Sequence, residues 1–330
     1  MDHRRFPKVE LHRHLEGSLR LPTLIELADQ HGCVLPAHTP ETLRPFAQVD
    51  RPMGSLEEVL AAFGLFQDAF RSLAAVERIT EEAVEDAAID GIRLLELRFS
   101  PGFMAQPAGL DWDEMMGAVL RGVEKARSNH TIAVGLIAIA SRSLGPESAK
   151  ETVAFALNWR EHLVGFDLAD AEEAWPARDF APVLRPLHAV DFPITVHSGE
   201  NTGPEHIQQS VDLLHAQRIG HGVSVVQDDA ILQRCIDEGW VLEMCPTSNL
   251  RTRAVSSLPE HPAARLLEMG AKVTLNSDDP GLFDITLSDE YALAEQQMGF
   301  DEGLLLQAHK NAVQGSFVKR VPQEVLAPFV

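Results

Sequence analysis

Eight short runs rich in apolar and β-branched residues recur along the chain. They are "KVELHRH", "IRLLELRFS", "TIAVGLIAIA", "LVGFDLA", "PITVHSG", "RIGHG", "VLEMCPTS" and "KVTLNSDD". Most are nearly continuous apolar stretches rather than clean alternations, which is the pattern of parallel strands covered on both faces. Helical patterns separate them, such as "ITEEAVEDAAID" and "DDAILQRCIDEG", the latter stopping at Gly239. Eight strands alternating with helices is the count for a (β/α)8 TIM barrel. A length of 330 residues suits one large barrel or two modest domains. The expectation is one barrel domain over residues 1–330, with a helical insertion at about 21–90 after the first strand. No G-x-G-x-x-G or phosphate loop follows that strand, which counts against an open doubly wound sheet.

A barrel of this kind gathers its chemistry at the C-terminal ends of the strands. His12 and His14 stand there, at spacing i, i+2. On a strand both side chains leave the same face and supply half of a tetrahedral metal site, although an isolated H-x-H serves equally well as a strand cap. His197 closes the fifth run, Gly199 and Glu200 follow it, and His221 ends the sixth between two glycines. Asp278 and Asp279 end the eighth, where Pro280 stops the strand. Adjacent carboxylates repel each other unless a cation or donor neutralises them, while the ordinary role of a lone "DDP" is helix capping. Three neutral histidines and one carboxylate suit a zinc ion with a position left for water. A further histidine can then take or orient the water proton, and a buried glutamate of raised pKa can protonate the substrate. His221 and Glu200 fit these roles, and the reaction class is metal-assisted hydrolysis.

In order, the stretches "PKVELHRHLEGSL", "SLEEVLAAF", "VGFDLA", "HSGE", "RIGHG", "CPTSN" and "NSDDP" resemble the adenosine deaminase family of the amidohydrolase barrels. They run from Pro7 to Pro280 and cover most of the chain. The resemblance implies one Zn2+ per chain held by His12, His14, His197 and Asp278. It also implies Glu200 protonating purine N1, His221 orienting and deprotonating the attacking water, and Asp279 bonding N7. Gly199 falls among the substrate-contacting positions, and Leu56, Val59, Leu60 and Phe63 resemble an apolar gate. On spacing alone those four are as readily ordinary helix core. Two positions depart from adenosine-specific members: Glu16 replaces an aspartate that binds the ribose 5′-hydroxyl, and Asp170 replaces a glycine whose N–H reaches N3. The expected reaction is hydrolytic removal of the 6-amino group from adenosine or a 5′-modified analogue such as aminodeoxyfutalosine. Free adenine is the alternative substrate, and a nucleoside-binding zinc barrel without turnover is the alternative of another class.

Composition narrows the partners. With 49 Asp+Glu against 28 Lys+Arg, the net charge of −21 repels phosphate backbones and anionic membranes. A small 6-aminopurine is therefore expected, and neither nucleic acid nor membrane, while self-association is not readable. Cys33, Cys235 and Cys245 form no CxxC pair, and Cys245 is expected as a small core residue of the seventh strand. The start "MDHRRFPK" has no apolar stretch behind it, so a cytoplasmic protein is expected. Histidines off the strand ends, His261 and His309 among them, are expected at the surface or as caps. The acidic runs "EEAVED" and "DAEEA" are expected as solvated helix faces.

Overall fold

A computed structural model describes residues 2–53 and 56–326, with residues 56–61 and 324 described by backbone alone. Eight strands lie side by side in chain order, all parallel: β1 (Lys8–His14), β2 (Ile92–Phe99), β3 (Ala133–Ser141), β4 (Leu163–Ala169), β5 (Ile194–Ser198), β6 (Arg218–His221), β7 (Val241–Met244) and β8 (Lys272–Leu275). The last meets the first just beyond its own end. Arg13 and Asp278 form a parallel bridge, with the His14 amide donating to Asp278 O at 2.8 Å and the Asp278 amide donating to His12 O at 3.1 Å. The barrel is thus drawn shut at the residues proposed for its chemistry.

Helices wrap the outside, and four of them lie between β1 and β2: Leu21–His31, Pro40–Ala47, Leu56–Gln67 and Leu73–Ile89. Local signals set their ends. The helix Asp229–Glu238 is capped by the Asp228 carboxylate, which accepts from the Ala230 and Ile231 amides, and it stops at Gly239 with φ 69°. The charged run "EEAVED" lies in the helix Leu73–Ile89. The seventh strand is shorter than its apolar run. β7 ends at Met244, and Pro246 opens the helix Pro246–Arg251 at a first-turn position that needs no N–H. Cys245 therefore sits between the two, fully buried, its thiol pushed well up by burial.

His309 and His261 are buried rather than superficial. The ring of His309, on the helix Glu302–Gly315, packs edge-on against Phe6 at 4.8 Å, and its Nε2 lies 2.8 Å from Val325 O. Burial lowers its pKa from 6.5 to about 4. The unfolded chain then binds a proton between those values that the native ring refuses, so stability is lost as pH falls from 6.5 toward 4. Thermal midpoints stepped through this window should show that decline, and His309→Gln should flatten part of it.

Candidate metal and acid–base centre

Four side chains converge at the mouth of the barrel. His12 and His14 leave the same face of β1, His197 comes from β5, and Asp278 stands at the closing bridge. The Nε2 atoms of His12 and His197 lie 3.3 and 3.2 Å from Nε2 of His14. Asp278 Oδ1 is 3.1 Å from His12 Nε2 and 3.2 Å from His14 Nε2. Gly220 makes this approach possible, because a Cβ there would stand 3.0 Å from His12 Cε1. Asp278 and His221 both hold left-handed backbone, φ 62° and 61°, which non-glycine residues adopt only where surrounding contacts impose it.

The outer ring nitrogens decide what this cluster can hold. His12 Nδ1 lies 2.9 Å from Glu243 Oε2, and His197 Nδ1 lies 3.0 Å from Asp167 Oδ2. An ionised carboxylate only accepts, so each Nδ1 carries the proton, and in the neutral ring Nε2 is then the nitrogen free to ligate. Lone pairs facing one another across little more than 3 Å repel unless a cation lies between them. Burial lowers His197 to about 3, so its ring is neutral. Three imidazoles and one carboxylate fit a divalent cation of zinc's preferences.

Beside the cluster stand His221 and Glu200. His221 Nε2 is 3.6 Å from Glu200 Oε2 and 3.9 Å from Asp278 Oδ2. Burial raises the Glu200 carboxyl; His221 opposes that rise, and the negative charges of Asp278 and Glu172 add to it. Asp279 occupies the N-cap position of the helix Pro280–Phe283 but makes no capping bond. Its Oδ1 is buried without a hydrogen-bond partner, and burial together with Asp278 raises its carboxyl well above normal. Glu16 accepts the Ser100 amide at 2.6 Å through Oε1, while its buried Oε2 has no hydrogen-bond partner. Burial lifts that carboxyl to about 7.

The remaining candidates take other places. Asp170 is exposed at the end of β4 with φ 80°, and its carboxylate accepts from Ser141 Oγ at 2.6 Å and from the Ala171 amide. Gly199, with φ 72°, turns where a Cβ would meet Ile207 and Ser224, and its amide donates to Glu172 Oε2. Phe63 is half-buried, 6.5 Å from the Phe103 ring and edge-on to it. Leu56, Val59 and Leu60 lie outside the described side chains.

Several residues of the site are not evident from strand-end motifs. Inside the barrel, Arg98 donates to Asp167 Oδ2 and Glu243 Oε2, both at 2.8 Å. Arg218 pairs with Glu96 at 2.7 Å and with Glu243 at 2.5 Å. His221 Nδ1 lies 3.0 Å from Asn249 Nδ2, and Asn249 Oδ1 lies 3.2 Å from His261 Nε2. The run "DAEEA" is a turn rather than a solvated helix, because Glu172 is buried against the loop after β5. One signal was present: charges at positions buried inside parallel strands must be paired, so Arg98, Asp167 and Glu243 announced one another.

A family model described as adenosine deaminase matches residues 7–327. An adenosine deaminase from Shewanella loihica is 37% identical over 320 residues, covering 97% of each chain. Adenine deaminase from Arthrobacter aurescens superposes with TM-score 0.90 at 26% identity, covering 98% of this chain and 99% of that one. An amidohydrolase from Burkholderia ambifaria with bound zinc gives TM-score 0.86 at 26% identity, covering 98% and 88%.

Proposed function

Since the chain belongs to the adenosine deaminase family, we propose that it removes the 6-amino group of an adenosine-type nucleoside with one zinc ion and with Glu200 and His221 as acid and base. It is a hydrolytic aminohydrolase, and its substrates are adenosine-type purines. What carries the fuller proposal is the approach of His12, His197 and Asp278 to within 3.2–3.3 Å of His14 Nε2, beside a His221–Glu200 pair at 3.6 Å.

His12, His14, His197 and Asp278 would hold the ion through Nε2 atoms and a carboxylate oxygen. Zinc bound there supplies Lewis acidity, which brings the pKa of water to about 7. The chain's own groups do the rest. Glu200, its carboxyl raised by burial, delivers a proton to purine N1, making C6 electrophilic. His221 orients the attacking water through Nε2 and takes its proton. Asp279, its Oδ1 without a protein partner, faces N7. Glu16 offers Oε2 to the sugar side. Attack at C6 and return of protons to the 6-amino group release ammonia and leave a 6-oxopurine.

Zinc-loaded protein incubated with adenosine, a 5′-modified adenosine and adenine should consume at least one with release of ammonia, followed by ultraviolet absorbance. No turnover of any 6-aminopurine would overturn the proposal. Activity on adenine alone would favour the free base, for which the Arthrobacter aurescens structure is the precedent.

A further inference from the structure

The end of β5, which carries His197, and the loop after it, which carries Glu200, are gripped by two buried charges of opposite sign. Arg142, at the end of β3, is almost wholly buried; its Nη2 donates to His197 O at 2.9 Å and its Nη1 to Trp175 O at 2.8 Å. Glu172 reaches the same loop from the turn after β4 and is 6% exposed. Its Oε2 accepts from the Gly199 amide at 2.7 Å and from Thr202 Oγ1 at 2.6 Å, and its Oε1 accepts from the Glu200 amide at 3.1 Å. The cation thus holds a carbonyl and the anion holds two consecutive N–H groups, each matching the polarity of the backbone it meets. A buried carboxylate left with fewer donors would be costly, so three bonds to one loop fix that loop firmly.

We propose that Glu172 is a positioning residue for Glu200: its carboxylate, bonded to the Gly199 and Glu200 amides and the Thr202 hydroxyl, sets where the acid stands relative to the purine. This rests on the reading of Glu200 as the acid. Nothing in the arrangement requires Glu172 to touch substrate; its three loop bonds account for both oxygens. Displacing a catalytic group by about 1 Å costs on the order of 10²-fold in rate, which bounds what its loss does. The negative charge of Glu172 acts in the same direction as the geometry, since after burial and Asp278 it helps to keep Glu200 protonated.

The test is a double-mutant cycle on the zinc-loaded full chain with Glu172→Gln, Glu200→Gln and the pair. A glutamine keeps the shape but turns an N–H₂ toward amide donors. Glu172→Gln should lower kcat by about 10- to 100-fold. KM, zinc per chain and inosine affinity should stay within about three-fold, as for a residue acting only on the chemical step. On the Glu200→Gln background it should cost nothing further, because the group it positions no longer acts. Thr202→Val removes one bond of the three and should show a smaller loss with the same non-additivity. It also carries the cycle if Glu172→Gln fails to fold. Losses that multiply, or losses that appear equally in KM and zinc content, would make Glu172 merely structural and overturn the proposal. Full activity in Glu200→Gln alone would instead remove the acid, and the positioning role with it.

Discussion

Glu200→Gln lowers kcat by about 10²- to 10⁴-fold while zinc content and inosine affinity stay close to those of the parent. The substitution keeps side-chain length and planarity, so the pocket walls are unchanged. What disappears is a removable proton. Glu200 is partly buried, and desolvation together with the nearby charges of Asp278 and Glu172 raises its carboxyl, against the opposing pull of His221. An amide cannot deliver that proton to N1, and without it C6 stays a poor electrophile. The pH dependence has a definite sign: the working form is protonated, so kcat/KM declines as pH rises through the raised Glu200 pKa. In Glu200→Gln that alkaline limb should vanish. Steady-state rates between pH 5 and 10, with zinc assay and inosine titration alongside, measure all three. An equal fall in rate and inosine affinity would place Glu200 in binding rather than proton transfer.

The barrel was legible because parallel strands buried on both faces announce themselves as apolar runs, and β1 and β4 coincide with "KVELHRH" and "LVGFDLA" to the residue. β7 was overextended because apolar character continues through Cys245 into the helix that Pro246 begins, and only the proline marks the change. Groups at strand ends were equally readable, since strand geometry fixes where His12, His14 and His197 point. What escaped was everything that acts through distance in sequence. Glu172 is 27 residues from the amide it holds at Gly199, and "DAEEA" looks like any solvated acidic run until the turn buries it. His261 lies 12 residues from Asn249 and is linked to His221 through that amide. Asp170 differs again: its left-handed backbone is a strain that no single sequence displays.

Glu243→Gln should lower stability by about 3–5 kcal/mol, because it removes the shared partner of two buried cations. Glu243 Oε2 accepts from Arg98 and stands 2.9 Å from the Nδ1 of His12, while its Oε1 pairs with Arg218 and accepts from Thr195 Oγ1 at 3.0 Å. All of these groups are sealed from solvent. Burial would raise the Glu243 carboxyl, but Arg98, Arg218 and His12 hold it far below the usual range, so the group is a carboxylate at any working pH. An amide in its place presents N–H₂ to at least one guanidinium and leaves each Arg with one acid, Asp167 for Arg98 and Glu96 for Arg218. A loss of that size is a large share of the roughly 5–15 kcal/mol typical of folded proteins. A second effect follows through His12. With its Nδ1 no longer facing a carboxylate, the ring loses the partner that fixes its tautomer, and zinc affinity should fall by about 10- to 100-fold. Chemical denaturation and competitive chelator titration separate the two effects. Because Asp167 plays the same part for His197, Asp167→Asn should weaken zinc similarly while costing less stability, since it pairs with Arg98 alone among the arginines of this network. Equal losses of stability in the two variants would show that the paired arginines do not share Glu243 as an essential counter-ion.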